Sequence, residues 1–246
     1  MSLVVEQMPG LAVARVSRWF FNCYLLGDAA ALVVVDPGMP RIAEDLAPIT
    51  AGLPGSVRVV TATHGHGDHV GGAAVLARRY GAAIYLPAVT LTYLDKARPK
   101  TPSLAHMARA WPLLIGQPFD RRGAMGSLQA TFTAGFGGPR GMMWTGPRPA
   151  GGLAEGMSLP EAPDWTVIES PGHTDDSIVF WNERTRTLLS GDAVITIGGR
   201  PRFAPDIVDA AAAHRTRRRL RDLPVAHLLP GHGRPIHAES VWALEF

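Results

Sequence analysis

Short apolar runs dominate the first third of the chain, and turn-forming residues separate them. The runs are rich in β-branched and aromatic residues, which predicts successive strands at 3–5, 12–16, 20–26 and 31–35. The pattern then predicts a helix over residues 41–51, a strand over 57–61, a helix over 70–80 and a strand over 83–86. This alternation is typical of an α/β layer architecture.

The regular pattern breaks down from about residue 88 to 163, where prolines and glycines are mixed with apolar residues. We predict an insertion over residues 88–163 that lies above the functional site, with a helix over 103–115 capped by Ser103. The pattern resumes with a helix over 207–223 and strands over 165–169, 178–181, 187–189 and 225–229. We therefore predict one domain over residues 1–246, built from two similar halves packed face to face.

Composition and charge add limits on location and partners. The chain has 246 residues, of which 46% are hydrophobic and 18% charged, and this balance indicates a globular protein with a substantial core. One cysteine, Cys23, leaves no intrachain disulfide, and its apolar surroundings predict a buried thiol. We expect a cytoplasmic protein, because the N-terminus does not resemble a signal peptide and no run reaches the ~18–20 apolar residues of a membrane span.

The net charge of +3 raises the question of an anionic partner. Five arginines between residues 215 and 221 lie on the predicted helix over 207–223, with Leu220 and Leu223 facing inward. This arrangement favours a solvated helix face over a nucleic-acid-binding patch. We therefore expect a small-molecule substrate, no membrane association and no nucleic-acid partner, and a homodimer stays open.

The stretch His64-Gly-His66-Gly-Asp68-His69 follows a predicted strand and precedes a predicted helix. Its two glycines let the loop bend, so that three imidazoles and a carboxylate can converge. These donors suit zinc, iron or manganese, and the absence of cysteine among them disfavours a structural four-sulfur site.

Three further donors also come directly after predicted strands: His173, Asp192 and His232. Each lies in a glycine-containing loop, Pro171-Gly172-His173, Gly191-Asp192 or Gly231-His232-Gly233. Ligands gather outside the carboxyl ends of strands in open sheets, so the four loops are expected to meet at one edge.

Together, the HxHxDH loop and the later Gly-His, Gly-Asp and Gly-His-Gly loops resemble the metallo-β-lactamase superfamily over almost the whole chain. The segments at Asn22 and at Val35-Asp36-Pro-Gly are similar to that family's first hairpin and the turn after it. The resemblance implies a four-layer αββα sandwich with two divalent metal ions at one edge. Zinc is favoured, with iron or manganese as alternatives. It also implies that one ion is held by His64, His66 and His173, that the other is held by Asp68, His69 and His232, and that Asp192 bridges them.

Two divalent ions lower the pKa of a shared water and make hydroxide available near neutral pH. The resemblance therefore predicts a binuclear hydrolase that cleaves a carboxylic ester, lactone or thioester with a metal-bridging hydroxide. Asp68 is the candidate catalytic residue, since it can orient the nucleophile or move a proton. Candidates to fix the histidine rings are Asp36, Thr61, Thr63 and Ser190.

The likeness is closest to glyoxalase II and lactonases, but the substrate stays unassigned. β-Lactamases of the family usually have cysteine where this chain has Asp192, and flavodiiron proteins have HxExDH, so neither activity is expected. Glyoxalase II adds a C-terminal domain, whereas fourteen residues follow His232 here. Lactonases carry a tyrosine shortly after the bridging aspartate, whereas this chain continues Ala193-Val-Ile-Thr.

Two other classes remain as alternatives. A persulfide-dioxygenase-like enzyme would use a single iron held by His64, His173 and Asp192. A metal-dependent nuclease would need a basic surface leading to the metals, and it is the less favoured of the two. Within the insertion, Met142, Met143 and Trp144 could line an apolar pocket or simply pack on the domain, and His106 is a candidate to contact substrate.

Overall fold

The computed structural model describes residues 3–19, 21–27, 31–38, 41–51, 56–95, 97–100, 125–126, 129–130, 134–138 and 141–245. Its strands are β1 Val4–Gln7, β2 Val13–Arg18, β3 Phe21–Gly27, β4 Ala31–Val35, β5 Ser56–Thr61, β6 Ala83–Pro87, β7 Ala134–Gly138, β8 Gly141–Trp144, β9 Gly151–Leu153, β10 Ser158–Leu159, β11 Ala162–Glu169, β12 Ile178–Asn182, β13 Thr187–Gly191, β14 Val194–Ile197, β15 Arg200–Phe203, β16 His227–Pro230 and β17 Ile236–His237. The helices are α1 Ile42–Ala51, α2 Gly67–Val70, α3 Ala73–Tyr80, α4 Ala88–Leu94 and α5 Ala210–Arg221, and a 3₁₀ helix spans Val241–Leu244.

Two sheets face each other. The seven-stranded sheet has the order β1-β2-β3-β4-β5-β6-β9, and the six-stranded sheet has the order β10-β11-β12-β13-β16-β17. In the first sheet β4, β5 and β6 run parallel, and in the second sheet β13 and β16 run parallel. Parallel neighbours bring the carboxyl ends of their strands to the same edge, which is where the site forms.

Three apolar clusters divide the sandwich into layers. One cluster fills the space between the sheets, with Val33 and Val35 from β4 facing Phe180 from β12. The neighbouring residues Leu32 and Val34 point to the other face, where they pack with helix residues such as Leu46, Ala73 and Leu76. A third cluster buries Leu220 of α5 against the outer face of the second sheet. The predicted αββα sandwich is therefore confirmed.

The apolar runs became strands because both faces of the central strands are buried. Successive side chains of a strand point to opposite faces, so a strand covered on both sides needs apolar residues at every position. The strands at 31–35 and 178–182 are such runs, with almost every side chain buried. No described helix is both long enough and apolar enough to cross a membrane.

The structure differs from the predicted elements in several places. The helix predicted over 70–80 is divided into α2 and α3. Residues 88–94 are helical, and strands β9 and β10 belong to the two main sheets rather than to an irregular insertion. The strand predicted over 165–169 is present as β11 and begins three residues earlier, at Ala162. The β14–β15 hairpin was not predicted. The predicted helix over 103–115 lies outside the described residues.

The elements that the sequence missed are short and depend on their partners. β9 contains two glycines in three residues and gains its extended form by pairing with β6. Such a segment has no alternation of its own to detect, because its stability comes from the neighbouring strand. One described part of the predicted insertion, the hairpin of β7 and β8, lies over the HxHxDH loop. Phe136 of β7 donates its backbone N–H to Gly65 O at 2.8 Å.

Candidate metal centre

The loops after β5, β11, β13 and β16 meet at one edge of the sandwich. Backbone hydrogen bonds join the sheets there: Ile178 N donates to Thr63 O at 2.8 Å, and Asn22 N donates to Gly231 O at 3.0 Å. The Asn22 side chain also donates to the carbonyl oxygens of Pro230 and Gly233, which fixes the loop that carries His232. The structure thereby brings together all seven donors singled out in the sequence.

The donors form three overlapping groups, each with its ligand atoms within 4.8 Å of one another: His64, His66 and His173; His64, His69 and Asp192; and Asp68, His69 and His232. The shared members His64 and His69 join the groups into one cluster. This arrangement has the composition of a metal-binding site.

Three imidazole nitrogens of the first group point at a common centre. Nε2 of His64 lies 2.9 Å from Nδ1 of His66, and that same Nδ1 lies 3.2 Å from Nε2 of His173. His64 and His173 are buried, and His66 is partly open. Three converging nitrogens with one open side are the ligand set of a metal that also binds water or substrate.

Asp192 lies between the groups. Its Oδ2 is 3.1 Å from Nε2 of His232 and 3.6 Å from Nε2 of His173, while its Oδ1 is 3.4 Å from Nε2 of His69. Asp68 closes the third group, with Oδ2 3.5 Å from Nε2 of His232. Asp192 therefore lies beside rings of both the first and the third group.

Two buried polar atoms test whether a metal fits. Nε2 of His69 and Oδ1 of Asp192 have no hydrogen-bond partner among the described residues, although both are shielded from solvent. Buried polar atoms are rarely left unsatisfied, and at functional sites an ion is a common explanation. The donors that are present fit divalent metal ions.

Burial and charge shift the pKa values of the cluster in opposite directions. Burial lowers the pKa of His173, but the Asp206 and Asp192 carboxylates raise it by more, to about 9. Burial also opposes protonation of His232, yet Asp192 and Asp68 bring its pKa to about 10. Both rings therefore hold a proton near neutral pH in the absence of metal, in the positions where a cation would bind.

The pKa values of His64, His66 and Asp192 are shifted downward. Burial is the main cause that lowers the pKa of His66 to about 4, and it also lowers the pKa of His64. Burial raises the pKa of Asp192, but His232 and His69 lower it by more, so the carboxylate is ionised. Without metal the cluster thus combines two neutral imidazoles, His64 and His66, with two that hold a proton, His173 and His232, and with an ionised Asp192. A bound cation would displace the protons of His173 and His232.

Two of the four residues proposed to fix the histidine rings do so. Asp36 Oδ2 lies 3.1 Å from Nδ1 of His69, and Thr63 Oγ1 lies 3.2 Å from Nδ1 of His64. The other two candidates were wrong. Ser190 donates its hydroxyl to Val194 O, and the Thr61 hydroxyl has no hydrogen-bond partner among the described residues.

His173 is held by a residue that the sequence did not reveal. Its Nδ1 lies 2.9 Å from the backbone oxygen of Asp206 and 3.4 Å from Asp206 Oδ1. These atoms orient the ring so that Nε2 faces the cluster. Asp206 lies in the loop before α5, and neither spacing nor periodicity relates it to His173.

Asp176 and Phe136 were also missed. Asp176 Oδ2 accepts hydrogen bonds from Gly65 N at 2.9 Å and from Thr90 Oγ1 at 2.6 Å, which ties the HxHxDH loop to α4. The Phe136 ring packs against His66 with ring centroids 4.8 Å apart. A side chain at Gly65 would collide with Phe136, so this position requires glycine.

The remaining candidates have less direct roles. Met142 and Trp144 pack on the core beneath the first sheet, which supports ordinary packing rather than a substrate pocket for these two residues. Trp144 also donates its ring N–H to Pro147 O at 3.0 Å. Met143 is half-buried in β8, and His106 lies outside the described residues.

Comparison with known proteins agrees with this geometry. The probable metallo-hydrolase YflN of Bacillus subtilis is 25% identical over 250 residues, covering 94% of this chain and 85% of that protein. A hydroxyacylglutathione hydrolase of Bdellovibrio bacteriovorus is 36% identical over 87 residues, which is 35% of each chain.

Solved structures show the same fold. A metallo-β-lactamase from Pontibacter korlensis superposes with a TM-score of 0.63 at 15% identity, covering 99% of this chain and 97% of that chain. The protein TTHA1623, solved in a di-iron-bound form, gives a TM-score of 0.60 at 24% identity, with coverage of 93% and 95%.

The profile of the Metallo-beta-lactamase superfamily matches residues 17–232, a span that includes every donor of the candidate centre. The chain belongs to the metallo-β-lactamase superfamily, as a metallo-hydrolase.

Proposed function

We propose that this chain is a binuclear metallo-hydrolase that cleaves a carboxylic ester, lactone or thioester. The observation that carries the proposal is the third donor group, Asp68, His69 and His232, which lies beside the first. A mononuclear-iron enzyme of the persulfide-dioxygenase type would leave this group empty, which metal analysis distinguishes from the proposal.

The assignment of ligands follows the contacts. His64, His66 and His173 would hold one ion, and Asp68, His69 and His232 would hold the other, with Asp192 between them. When bound, two such ions supply hydroxide near neutral pH and polarise a substrate carbonyl. Zinc suits these nitrogen and oxygen donors, and iron or manganese would also fit them.

Asp68 is the residue that we assign to proton movement. Its side chain is 26% exposed, whereas the Asp192 side chain is 8% exposed and that of Asp36 is fully buried. A carboxylate that reaches both the centre and solvent can orient an attacking water and pass a proton to the leaving group. Asp192 and Asp36 are too enclosed for that exchange and instead hold their partners in place.

Support for the substrate class comes from the acyl-glutathione named in the Bdellovibrio relative, which matches over part of the chain. Acyl transfer to water is also the reaction that a centre of this kind favours, because negative charge develops on the carbonyl oxygen close to the cations. A cytoplasmic location and a small-molecule substrate remain part of this proposal.

The test combines metal analysis with a substrate panel. Protein purified without added metal should contain close to two divalent ions per chain and should hydrolyse a member of a panel of lactones, thioesters and phosphodiesters. One iron per chain together with oxygen uptake on a persulfide would replace the proposal.

The Asp192→Ala variant gives a sharper test. It removes the carboxylate between the two groups and leaves the core intact, so we expect hydrolysis to be abolished while the circular dichroism spectrum is retained. Asp164→Ala is the matched control, since Asp164 lies on the surface and pairs with Arg184 at 3.2 Å. Retention of most activity in Asp192→Ala would contradict a two-ion mechanism.

A further inference from the structure

A separate pair of histidines lies at an edge of the second sheet, outside the candidate metal centre. His227 in β16 and His237 in β17 are directly opposite each other in the antiparallel register. Their Nδ1 atoms are 2.9 Å apart, and their ring centroids are 5.0 Å apart. Two imidazole nitrogens therefore converge at a place that the proposed hydrolysis does not use.

The strand register shows which way the pair points. Leu228 and Ile236, the neighbours of the two histidines, belong to the cluster beneath α5. Because successive side chains alternate between faces, His227 and His237 project toward the first sheet. There the negative charge of Glu6, on edge strand β1, reaches His237.

Both rings are open to solvent and are in the neutral form. His227 is half-buried and His237 is exposed. Burial lowers the pKa of His227, and the nearby charges of His237 and Arg186 lower it further. Burial also lowers the pKa of His237 by more than Glu6 raises it. Neutral imidazole is the form that binds metals, so near pH 7 neither ring has to lose its charge first. One ring donates the Nδ1 proton of the hydrogen bond, and this proton has to move to Nε2 of that ring before both Nδ1 atoms can bind a metal.

The distance between the rings is close to what a shared metal needs. Zinc–nitrogen bonds of about 2.0–2.1 Å in a tetrahedral site place two ligand nitrogens roughly 3.3 Å apart. The Nδ1 atoms at 2.9 Å reach that separation if the rings open slightly. We propose that His227 and His237 form a peripheral site for a borderline divalent transition metal ion such as Zn²⁺, Ni²⁺ or Cu²⁺, with water completing the coordination.

The site would hold β17 against β16. β17 has two residues and lies at the edge of its sheet, and it precedes the 3₁₀ helix whose Val241 is buried in the core beneath α5. An ion held by one ligand from each strand joins β17 to β16. Because it binds only when the two strands are paired, it stabilises the folded state.

Equilibrium dialysis against Zn²⁺ alone tests the proposal by counting ions. We expect His227→Gln and His237→Gln each to bind one zinc fewer per chain than the wild type. His214→Gln is the matched control, because His214 is an exposed histidine on α5, and it should bind as the wild type does. Equal zinc binding by all four proteins would overturn the proposal and leave the two rings joined only by a hydrogen bond.

Thermal unfolding gives a second readout that does not depend on activity. Excess Zn²⁺ should raise the Tm of the wild type and of His214→Gln by more than it raises the Tm of either pair variant. Identical zinc-induced shifts in all four proteins would count against the site. Neither measurement requires the candidate centre to be catalytic, so failure of the hydrolase proposal would leave this result interpretable.

Discussion

Oδ2 of Asp36 lies 3.1 Å from Nδ1 of His69, on the side of the ring that faces away from the other donors. Asp36 follows β4 directly and is fully buried, and its backbone is in the left-handed region at φ 50°. Thr63 N also donates to Oδ1 of this carboxylate at 2.7 Å. One side chain therefore links the turn after β4 to the HxHxDH loop and orients one of its rings.

Asp36→Asn should weaken metal binding without unfolding the protein. The amide keeps the shape but has one oxygen instead of two and no charge, so either the close contact with Nδ1 of His69 or the hydrogen bond from Thr63 N is lost. Loss of such a supporting contact typically lowers metal affinity by about 10- to 100-fold. Zinc titration against a chelator of known affinity measures the change.

Asp164→Asn serves as the control for Asp36→Asn, since its carboxylate pairs with Arg184 on the surface. Unchanged zinc affinity in Asp36→Asn would show that the contact to His69 is incidental.

Gly231→Ala should disrupt the centre by direct collision. A Cβ at this position would lie 2.6 Å from Asp192 Oδ1 and 2.7 Å from Cε1 of His69. We expect loss of metal binding and a stability cost of about 1–3 kcal/mol, as is usual for overpacking. Metal content and urea unfolding measure the two effects.

Gly156→Ala provides the comparison for Gly231→Ala. Gly156 has a positive φ of 76° and no atom within 4 Å of an added Cβ, so its substitution strains the backbone far from the centre. The Gly156→Ala variant should be less stable than the wild type but should still bind metal. If Gly231→Ala also keeps its metal, the loop carrying His232 is less tightly packed than the structure indicates.

Asp176→Asn should be tolerated, whereas Asp176→Ala should not. Burial raises the pKa of Asp176 to about 6, and both of its short hydrogen bonds go to Oδ2. An asparagine oxygen can replace Oδ2 and accept from Gly65 N and Thr90, and the variant no longer buries a charge.

Alanine at 176 leaves Gly65 N without its acceptor, which costs about 1–3 kcal/mol. Urea unfolding of both variants at pH 7.5 checks the difference. Equal destabilisation by Asn and Ala would mean that the charge itself is required.

The metal-free protein should lose stability as the pH rises from 6.5 toward 9 to 10. The raised pKa values of His173, about 9, and His232, about 10, mean that folding favours their protonated forms. Their contribution is complete below the ordinary pKa of 6.5 and disappears as each ring loses its proton in the folded state.

The lowered pKa of His66 reduces the stability of the metal-free protein at acid pH. Its pKa is lowered to about 4, so the unfolded chain takes up this proton first and stability falls as the pH drops from 6.5 toward 4. The Tm of chelator-treated protein, measured across this pH range, tests both statements. The His232→Gln variant should show a shallower decline at alkaline pH, and a flat profile in the wild type would rule out this assignment of protons.

The sequence by itself determined the layers and the donors. Apolar runs such as 31–35 and 178–181 predict strands covered on both faces, and the four loops with His64–His69, His173, Asp192 and His232 all follow predicted strands. Because carboxyl ends of parallel strands meet at one edge, that positional pattern is enough to predict their convergence. The sequence also offered Asp36 and Thr63 as supports for the rings, but only among four unranked candidates, of which Thr61 and Ser190 were wrong.

Only the tertiary structure decided which residues hold those donors in position. Asp206 reaches His173 across 33 positions, and Asp176 joins Gly65 across 111, so no local periodicity relates them. The pairing of His227 with His237 likewise depends on the register of β16 and β17 rather than on either strand alone. Side-chain contacts between distant segments depend on the register of the strands and on how the two sheets pack. A pattern of hydrophobic and polar positions predicts which face of a strand is buried, but it does not predict the register between strands.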